Sequence, residues 1–315
     1  MTSSRTIRPT QYLGNHISDY LGQEAVMIAS ALHTILGPPV QDAEEETFLL
    51  YTQDIPSNNL GMVDAKAETV EIEIGGHDYV LRQSPGLLTS NRAGGTTGAA
   101  LWKITPLLAS WLASLPPLLR DLGALHSEST VVELGCGVAG LLGLVLSRVV
   151  GCYVLTDQEY VMKYLKENIL MNTAARKSAT RTSNRKGNAQ LERYQPRDNL
   201  RMVPLDWETT DVGILTSTIG PQGSIDLLVL CDCVYNDFLV SPLVQTCIDI
   251  CRLGTTAEKN TIIVIAQQLR ADSICELFLA TLMKHFDVWR VPDEKISAEL
   301  RSGSGYVVHL ATLKG

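Results

Sequence analysis

A glycine-rich turn after an apolar run constrains the fold of this chain more than any other stretch. Residues Val131–Gly140 read VVELGCGVAG, and Asp157 follows the last glycine by 17 residues, directly after the apolar run CYVLT. Glycines suit such a turn because they adopt positive φ and let a ligand approach the backbone closely. An acidic residue at the tip of the next strand can accept hydrogen bonds from ribose hydroxyls. The stretch therefore predicts a nucleoside cofactor held by Gly135, Gly137 and Asp157.

The turn alone leaves the cofactor open, because the same glycine spacing occurs in folds that bind dinucleotides such as NAD. Two features favour S-adenosylmethionine. Glu133 lies two residues before the first glycine, where a dinucleotide fold usually has an apolar residue, and its carboxylate can order the loop and face a cationic ligand. The second feature is the end of the chain, where residues 287–290 and 306–313 read as strands with no helix between them. They predict a hairpin with an antiparallel last strand.

Strand and helix patterns alternate from Thr130 onward, as in a doubly wound α/β sheet. We expect residues 84–315 to form a Rossmann-like α/β domain with seven strands, the last one antiparallel. Residues 99–119 predict a helix that is interrupted at Pro106 and again at Pro116-Pro117. Trp102 would stand on its first turn and, judged alone, belong to the core.

Residues 1–83 predict an N-terminal extension. It is expected to contain a helix from about Ile17 to Leu36 and a short strand at Phe48–Tyr51. The acidic run at residues 42–46 predicts a solvated linker or, alternatively, a contact with a basic substrate. Alternating residues at Thr69–Ile74 and Tyr79–Arg82, separated by two glycines, predict a β-ribbon.

Composition and charge indicate the cellular location and the kind of binding partner. The net charge of −8 argues against a general nucleic-acid coat protein and fits a basic partner. No apolar run could span a bilayer, and seven cysteines without regular spacing indicate reduced thiols, so we expect a cytoplasmic protein without membrane contact. Residues 173–199 carry seven basic and two acidic residues, and predict either a surface insertion or a contact with RNA or an acidic surface.

The chemistry is expected at the end of a second apolar run, IDLLVLC, which is followed by Asp232-Cys233-Val234-Tyr235. A parallel strand there would place Asp232 and Tyr235 at the carboxyl end of the sheet, where open α/β folds bind ligands. Asp232 is suited to positioning a lysine ammonium. Tyr235 is suited to lining the lysine channel, where it would make a cation–π contact, or alternatively to packing in the core. Trp207, after another predicted strand, is suited to contact an adenine ring. The cysteine spacings do not match a zinc site, and no metal is predicted.

These motifs together carry a resemblance. Glu133–Gly140, Asp157, Asp206-Trp207 and Asp232–Tyr235 resemble the seven-β-strand protein lysine methyltransferases that have an Asp/Glu-x-x-Tyr/Phe motif. Within that group, Ser84–Leu112 resembles the fungal ribosomal lysine methyltransferases. The resemblance implies a lysine on a large-subunit ribosomal protein as substrate. It also implies adenosylmethionine contacts at Trp102, Gly135, Cys136, Gly137, Asp157, Trp207 and Cys231.

Three alternatives remain open at this point. The substrate could be another protein, such as an elongation factor or a chaperone. The chain could be an NAD-dependent oxidoreductase, or a non-catalytic, ribosome-associated binding factor. The intact pair of Asp157 and Asp232 argues against the last of these, since a binding factor needs neither.

Overall fold

The computed structural model describes residues 28–56, 60–88, 96–173, 198–220, 223–253 and 260–314. A central sheet of seven strands runs in the spatial order β5-β4-β3-β6-β7-β9-β8. The strands are β3 (Thr130–Leu134), β4 (Cys152–Asp157), β5 (Leu200–Pro204), β6 (Leu227–Cys231), β7 (Ile262–Gln268), β8 (Phe286–Arg290) and β9 (Tyr306–Leu313). Strands β3 to β7 are parallel to one another, and β9 is antiparallel to both β7 and β8. The predicted fold class is confirmed.

Helices cover both faces of this sheet. They are α1 (residues 28–36), α2 (Ala43–Tyr51), α3 (Ile104–Ala113), α4 (Pro117–Asp121), α5 (Leu141–Leu146), α6 (Glu159–Thr173), α7 (Asp237–Arg252) and α8 (Asp272–Leu282). Single turns of α-helix occur at Pro85–Leu88 and Thr216–Ile219, and 3₁₀ turns occur at Thr97–Ala99, Val212–Leu215, Asp293–Lys295 and Ala298–Leu300. No helix in the described ranges is long and apolar enough to cross a membrane.

The sequence of the central strands explains their position. Every residue of β6 is buried, as expected for an aliphatic strand that is covered on both faces. One face packs against a core formed with α3, α5 and α6, and the other packs against a core formed with α2, α7 and α8. The carboxyl ends of β3, β4 and β6 therefore meet at one edge of a three-layer sandwich.

The N-terminal β-ribbon packs onto the main domain. It pairs β1 (Thr69–Ile74) with β2 (His77–Arg82) in antiparallel register, as predicted, and its residue Leu81 is buried in the same core as α5 and α6. Two asparagines of α6 hold the free edge of β2 as a neighbouring strand would. Asn168 accepts from the Arg82 amide (2.7 Å) and donates to the Arg82 carbonyl (2.8 Å). Asn172 makes the same pair of bonds to Val80, at 2.9 and 2.8 Å.

The predicted strand at Phe48–Tyr51 and the solvated acidic linker before it are wrong. Both belong to α2, because Asp42 caps the helix by accepting from the Glu45 amide at 2.9 Å, and acidic residues in the first turn favour the helix dipole. Glu46 is buried, and it accepts from His309 of β9 at 2.9 Å. Phe48 is 66% exposed on the outer face of the helix.

The helix predicted from residue 99 begins later, at Ile104. Pro106 does not interrupt it, because a proline in the first turn of a helix lacks an amide that the helix would not use. Trp102 therefore lies before the helix and not on its first turn, in an isolated antiparallel bridge with Met62.

Candidate active site

The glycine loop begins where β3 ends. Gly135, Gly137 and Gly140 have φ values of 70°, 64° and 54°, which residues with a side chain rarely adopt. Packing also favours a glycine at the first position, because a Cβ on Gly135 would lie 3.1 Å from the Cys233 sulfur and 3.2 Å from the Trp207 ring. The loop is therefore shaped by its protein neighbours as well as by the expected ligand.

Asp157, at the end of β4, is joined to this loop. Its carboxylate accepts hydrogen bonds from the backbone amides of Gly137 and Gln158, both at 2.8 Å. Burial raises the pKa of Asp157 to about 6, although the same two amides act to lower it. The side chain is thus ionised above that pH and still has free lone pairs, as binding to ribose hydroxyls requires.

Glu133 is more deeply enclosed than its predicted role suggested. Its side chain is 2% exposed and accepts a hydrogen bond from the Tyr153 hydroxyl at 2.9 Å. Burial raises the pKa of Glu133 to about 8, while the hydrogen bond from Tyr153 acts to lower it. Below that pH the residue is a neutral acid that is hydrogen-bonded to Tyr153 of β4. Its predicted contact with a cationic ligand stays a prediction.

Asp232 follows β6 in a left-handed conformation, with φ of 59°. Its carboxylate is paired with Arg270 through two bonds, from Nη1 to Oδ1 at 2.7 Å and from Nη2 to Oδ2 at 2.5 Å. The Gln268 amide also donates to Oδ1, at 3.2 Å. The chain therefore supplies a cation of its own to Asp232, from beyond the end of β7. The predicted role of Asp232 in positioning a lysine stays a prediction.

The Arg270 guanidinium also lies over the Trp102 ring, with its central carbon 4.5 Å from the ring centroid. The indole of Trp102 donates to the Thr97 carbonyl at 3.0 Å. Trp102 is half-buried: it packs against the core and also lines the cleft. Arg270 was not predicted, because its place two residues past the end of β7 does not by itself indicate a contact with Asp232.

Tyr235 lines the cleft and is half-buried. Burial raises the pKa of its hydroxyl, and a hydrogen bond with the Thr97 side chain acts to lower it. Cys231 is buried, with its sulfur 3.7 Å from the Thr105 hydroxyl. The turn around Thr97 is thus a part of the cleft wall.

One cleft brings the predicted residues together at the carboxyl end of the sheet. The empty space within it is about 880 Å³ when the open solvent is included. The ten residues predicted from the sequence all line it, namely Trp102, Glu133, Gly135, Cys136, Gly137, Asp157, Trp207, Cys231, Asp232 and Tyr235. Their individual roles stay predictions.

Two other expectations from the sequence, a contact with RNA and the absence of a metal, are not tested by the structure. The basic insertion at 173–199 lies outside the described residues except for its ends, so a contact with RNA stays a prediction. In the described part of the chain, no group of three or more His, Cys, Asp or Glu side chains is placed to hold a metal ion.

A family model described as lysine methyltransferase matches residues 81–186. Ribosomal lysine N-methyltransferase 5 of Zygosaccharomyces rouxii is 30% identical over 231 residues, which cover 67% of this chain and 72% of that protein. The protein of the same name from Candida glabrata is 28% identical over 251 residues, covering 67% and 71%. The chain belongs to the lysine methyltransferase family. The enzyme class predicted from the sequence is thereby confirmed, and the fold is that of the class I methyltransferases.

Another relative has a name that describes a different activity. A diaminohydroxyphosphoribosylamino-pyrimidine deaminase of Schizosaccharomyces pombe is 28% identical over 261 residues, which cover 82% of this chain. The chain spans 55% of the length of that protein. Among solved structures, the match to a SAM-dependent methyltransferase from Aquifex aeolicus covers 66% of the present chain and 93% of the Aquifex chain. The sequence identity is 15% and the TM-score is 0.41.

Proposed function

We propose that this protein is an S-adenosylmethionine-dependent protein-lysine N-methyltransferase whose substrate is a large-subunit ribosomal protein. One observation carries the proposal: the same cleft is lined by Asp157, which is bonded to the glycine loop, and by Asp232. Asp157 and the glycine loop suit a nucleoside, and Asp232 suits an amine acceptor. The names of the Zygosaccharomyces and Candida relatives support the ribosomal substrate.

The cofactor would be held by residues of this chain in defined roles. Asp157 would accept from the ribose hydroxyls, Gly135 and Gly137 would let the ligand lie on the backbone, and Trp207 would border the adenine. Trp102, Cys136, Cys231 and Glu133 would complete the walls. When bound, the cofactor supplies an electrophilic methyl group on a sulfonium.

Asp232 and Tyr235 would receive the acceptor. An ionised carboxylate has about four lone-pair sites, and Arg270 and the Gln268 amide use three of those on Asp232. The remaining site can accept from the lysine nitrogen and aim it at the methyl group. Tyr235 would border the lysine channel.

The test is transfer of tritium from labelled adenosylmethionine into large ribosomal subunits from cells that lack this protein. Wild type is compared with Asp232→Asn, which keeps the shape of the side chain, and binding of adenosylmethionine to each is measured separately. We expect one labelled protein with wild type, and a loss of at least 100-fold in rate with Asp232→Asn while the cofactor still binds.

The competing functions give different results. Labelling of a protein outside the ribosome would indicate a different substrate, such as an elongation factor or a chaperone. Cofactor binding without any labelled protein would contradict the proposal and favour a binding factor. Binding of NAD in place of adenosylmethionine would favour an oxidoreductase. A cytosolic location is part of the proposal, and fractionation of cells would test it.

A further inference from the structure

The pair of Asp232 and Arg270 is built as a fixed unit of the cleft. The Asp232 side chain is 3% exposed and that of Arg270 is 29% exposed. Besides its two bonds to Asp232, Arg270 donates from Nη2 to the Gln268 side chain at 3.0 Å. That side chain is itself fixed, because it accepts from the Gly61 amide at 2.8 Å. With the Trp102 ring below it, the guanidinium is held from three sides.

The pairing of Asp232 with Arg270 affects the protonation of an acceptor lysine. A lysine must lose a proton before its nitrogen can attack, and its ordinary pKa of about 10.4 makes the neutral amine scarce at pH 7. A lone carboxylate would favour the ammonium form and make the amine scarcer still. A guanidinium on the same carboxylate cancels that effect, while the carboxylate can still accept a hydrogen bond.

We propose that Arg270 is a positioning residue of the transfer site: it cancels the charge of Asp232, so that the acceptor lysine is held as a neutral amine. The inference rests on the proposed function. The lysine ammonium first gives one proton to water. The nitrogen lone pair then forms a bond to the methyl carbon as the carbon–sulfur bond breaks, and the electron pair of that bond stays on sulfur. The product is a methylated ammonium and a neutral thioether.

Other titratable groups surround the pair. Burial raises the pKa of the Cys231 and Cys233 thiols and of the Tyr51 and Tyr306 hydroxyls, so all four are neutral near pH 7. Asp272 lies on the next helix, α8, and Tyr235, Glu133 and Asp157 line the same cleft. Glu133 and Asp157 titrate near pH 8 and 6. They are present in every variant below, so the ratio of two variants' rates cancels their contribution.

The test measures kcat/KM from pH 6.5 to 9.5 with large ribosomal subunits from cells that lack the protein. Arg270→Gln removes the charge, and Arg270→Lys keeps it. We expect Arg270→Gln to be at least tenfold slower than wild type at pH 7 and to recover toward the wild-type rate by pH 9.5, since the amine is then less scarce. Arg270→Lys should follow the wild-type pH profile. The double variant Asp232→Asn with Arg270→Gln should lack the extra pH dependence, because both charges are gone.

Binding gives a readout that does not depend on catalysis. Co-sedimentation with the same subunits, without cofactor, should show Arg270→Gln binding at least as tightly as wild type, because its uncompensated carboxylate attracts the ammonium. A rate deficit in Arg270→Gln that is the same at every pH would overturn the inference. So would a faster Arg270→Gln with a lower KM, which would mean that Arg270 competes with the lysine. If wild type labels no protein, the proposed function itself fails.

Discussion

At the scale of single residues, the buried carboxyl of Glu133 should make stability fall as pH rises. Its pKa is about 8 in the folded protein against a reference value of 4.5. Below pH 4.5 both states are protonated, and between 4.5 and about 8 only the unfolded state is ionised. In that window the free energy of unfolding falls by about 1.4 kcal/mol per pH unit, and above it the contribution is constant.

Glu133→Gln should remove this dependence, because glutamine is neutral at every pH and can still accept from the Tyr153 hydroxyl. The variant should match wild type near pH 4.5 and exceed its free energy of unfolding by about 4 kcal/mol at pH 8. Urea denaturation at pH 5, 6.5 and 8 measures the difference. Asp157 has a raised pKa as well, but it contributes equally to both proteins. Parallel stability curves for the two proteins would show that Glu133 is ionised in the folded state.

At the scale of secondary-structure elements, the two asparagines of α6 take the place of a strand beside β2. Asn168 is fully buried and donates to the carbonyls of both Arg82 and Val138, whereas Asn172 is half-buried. Asn168→Asp replaces a donor by an acceptor that faces two carbonyls. It should lower the free energy of unfolding by about 3 kcal/mol at pH 7.

Asn172→Asp is the matched control, since it makes the same change four residues along the same helix, where water can reach it. Its loss should be about 1 kcal/mol. Urea denaturation of both variants gives the comparison. Equal losses would mean that the free edge of β2 does not depend on the burial of Asn168.

These elements also show how far sequence alone can predict the fold. Thr130–Leu134 and Tyr306–Leu313 were predicted with their observed bounds, because aliphatic runs with clear ends have few other interpretations. The short helix α2 was missed, since its buried Glu46 looks like any solvated charge until β9 is in place. The ten cleft residues come from local motifs, whereas the contact of Arg270 with Asp232 joins the ends of two strands. No local pattern encodes such a contact.

At the scale of the whole molecule, a buried contact joins the N-terminal extension to the end of the sheet. Glu46 of α2 accepts from His309 of β9 at 2.9 Å and lies 3.5 Å from the Arg290 guanidinium of β8. Glu46→Ala leaves the buried His309 ring without this partner. The free energy of unfolding should fall by about 3 kcal/mol.

Glu45→Ala is the control for this contact, because the neighbouring glutamate is exposed in the same first turn of α2. Its effect should stay below about 1 kcal/mol. Both variants are measured by urea denaturation at pH 7. If the two were equally destabilised, the contact between Glu46 and His309 would contribute nothing beyond helix stability.

The position of β9 inside the sheet has a consequence for synthesis. Strand β9 is later in the chain than every other strand, yet it lies between β7 and β8. While a ribosome is still making residues 306–313, the edge of β7 is unpaired and β8 has no neighbour. The nascent chain therefore cannot complete its sheet one strand at a time, and these edges of β7 and β8 have no strand partner until translation has passed β9.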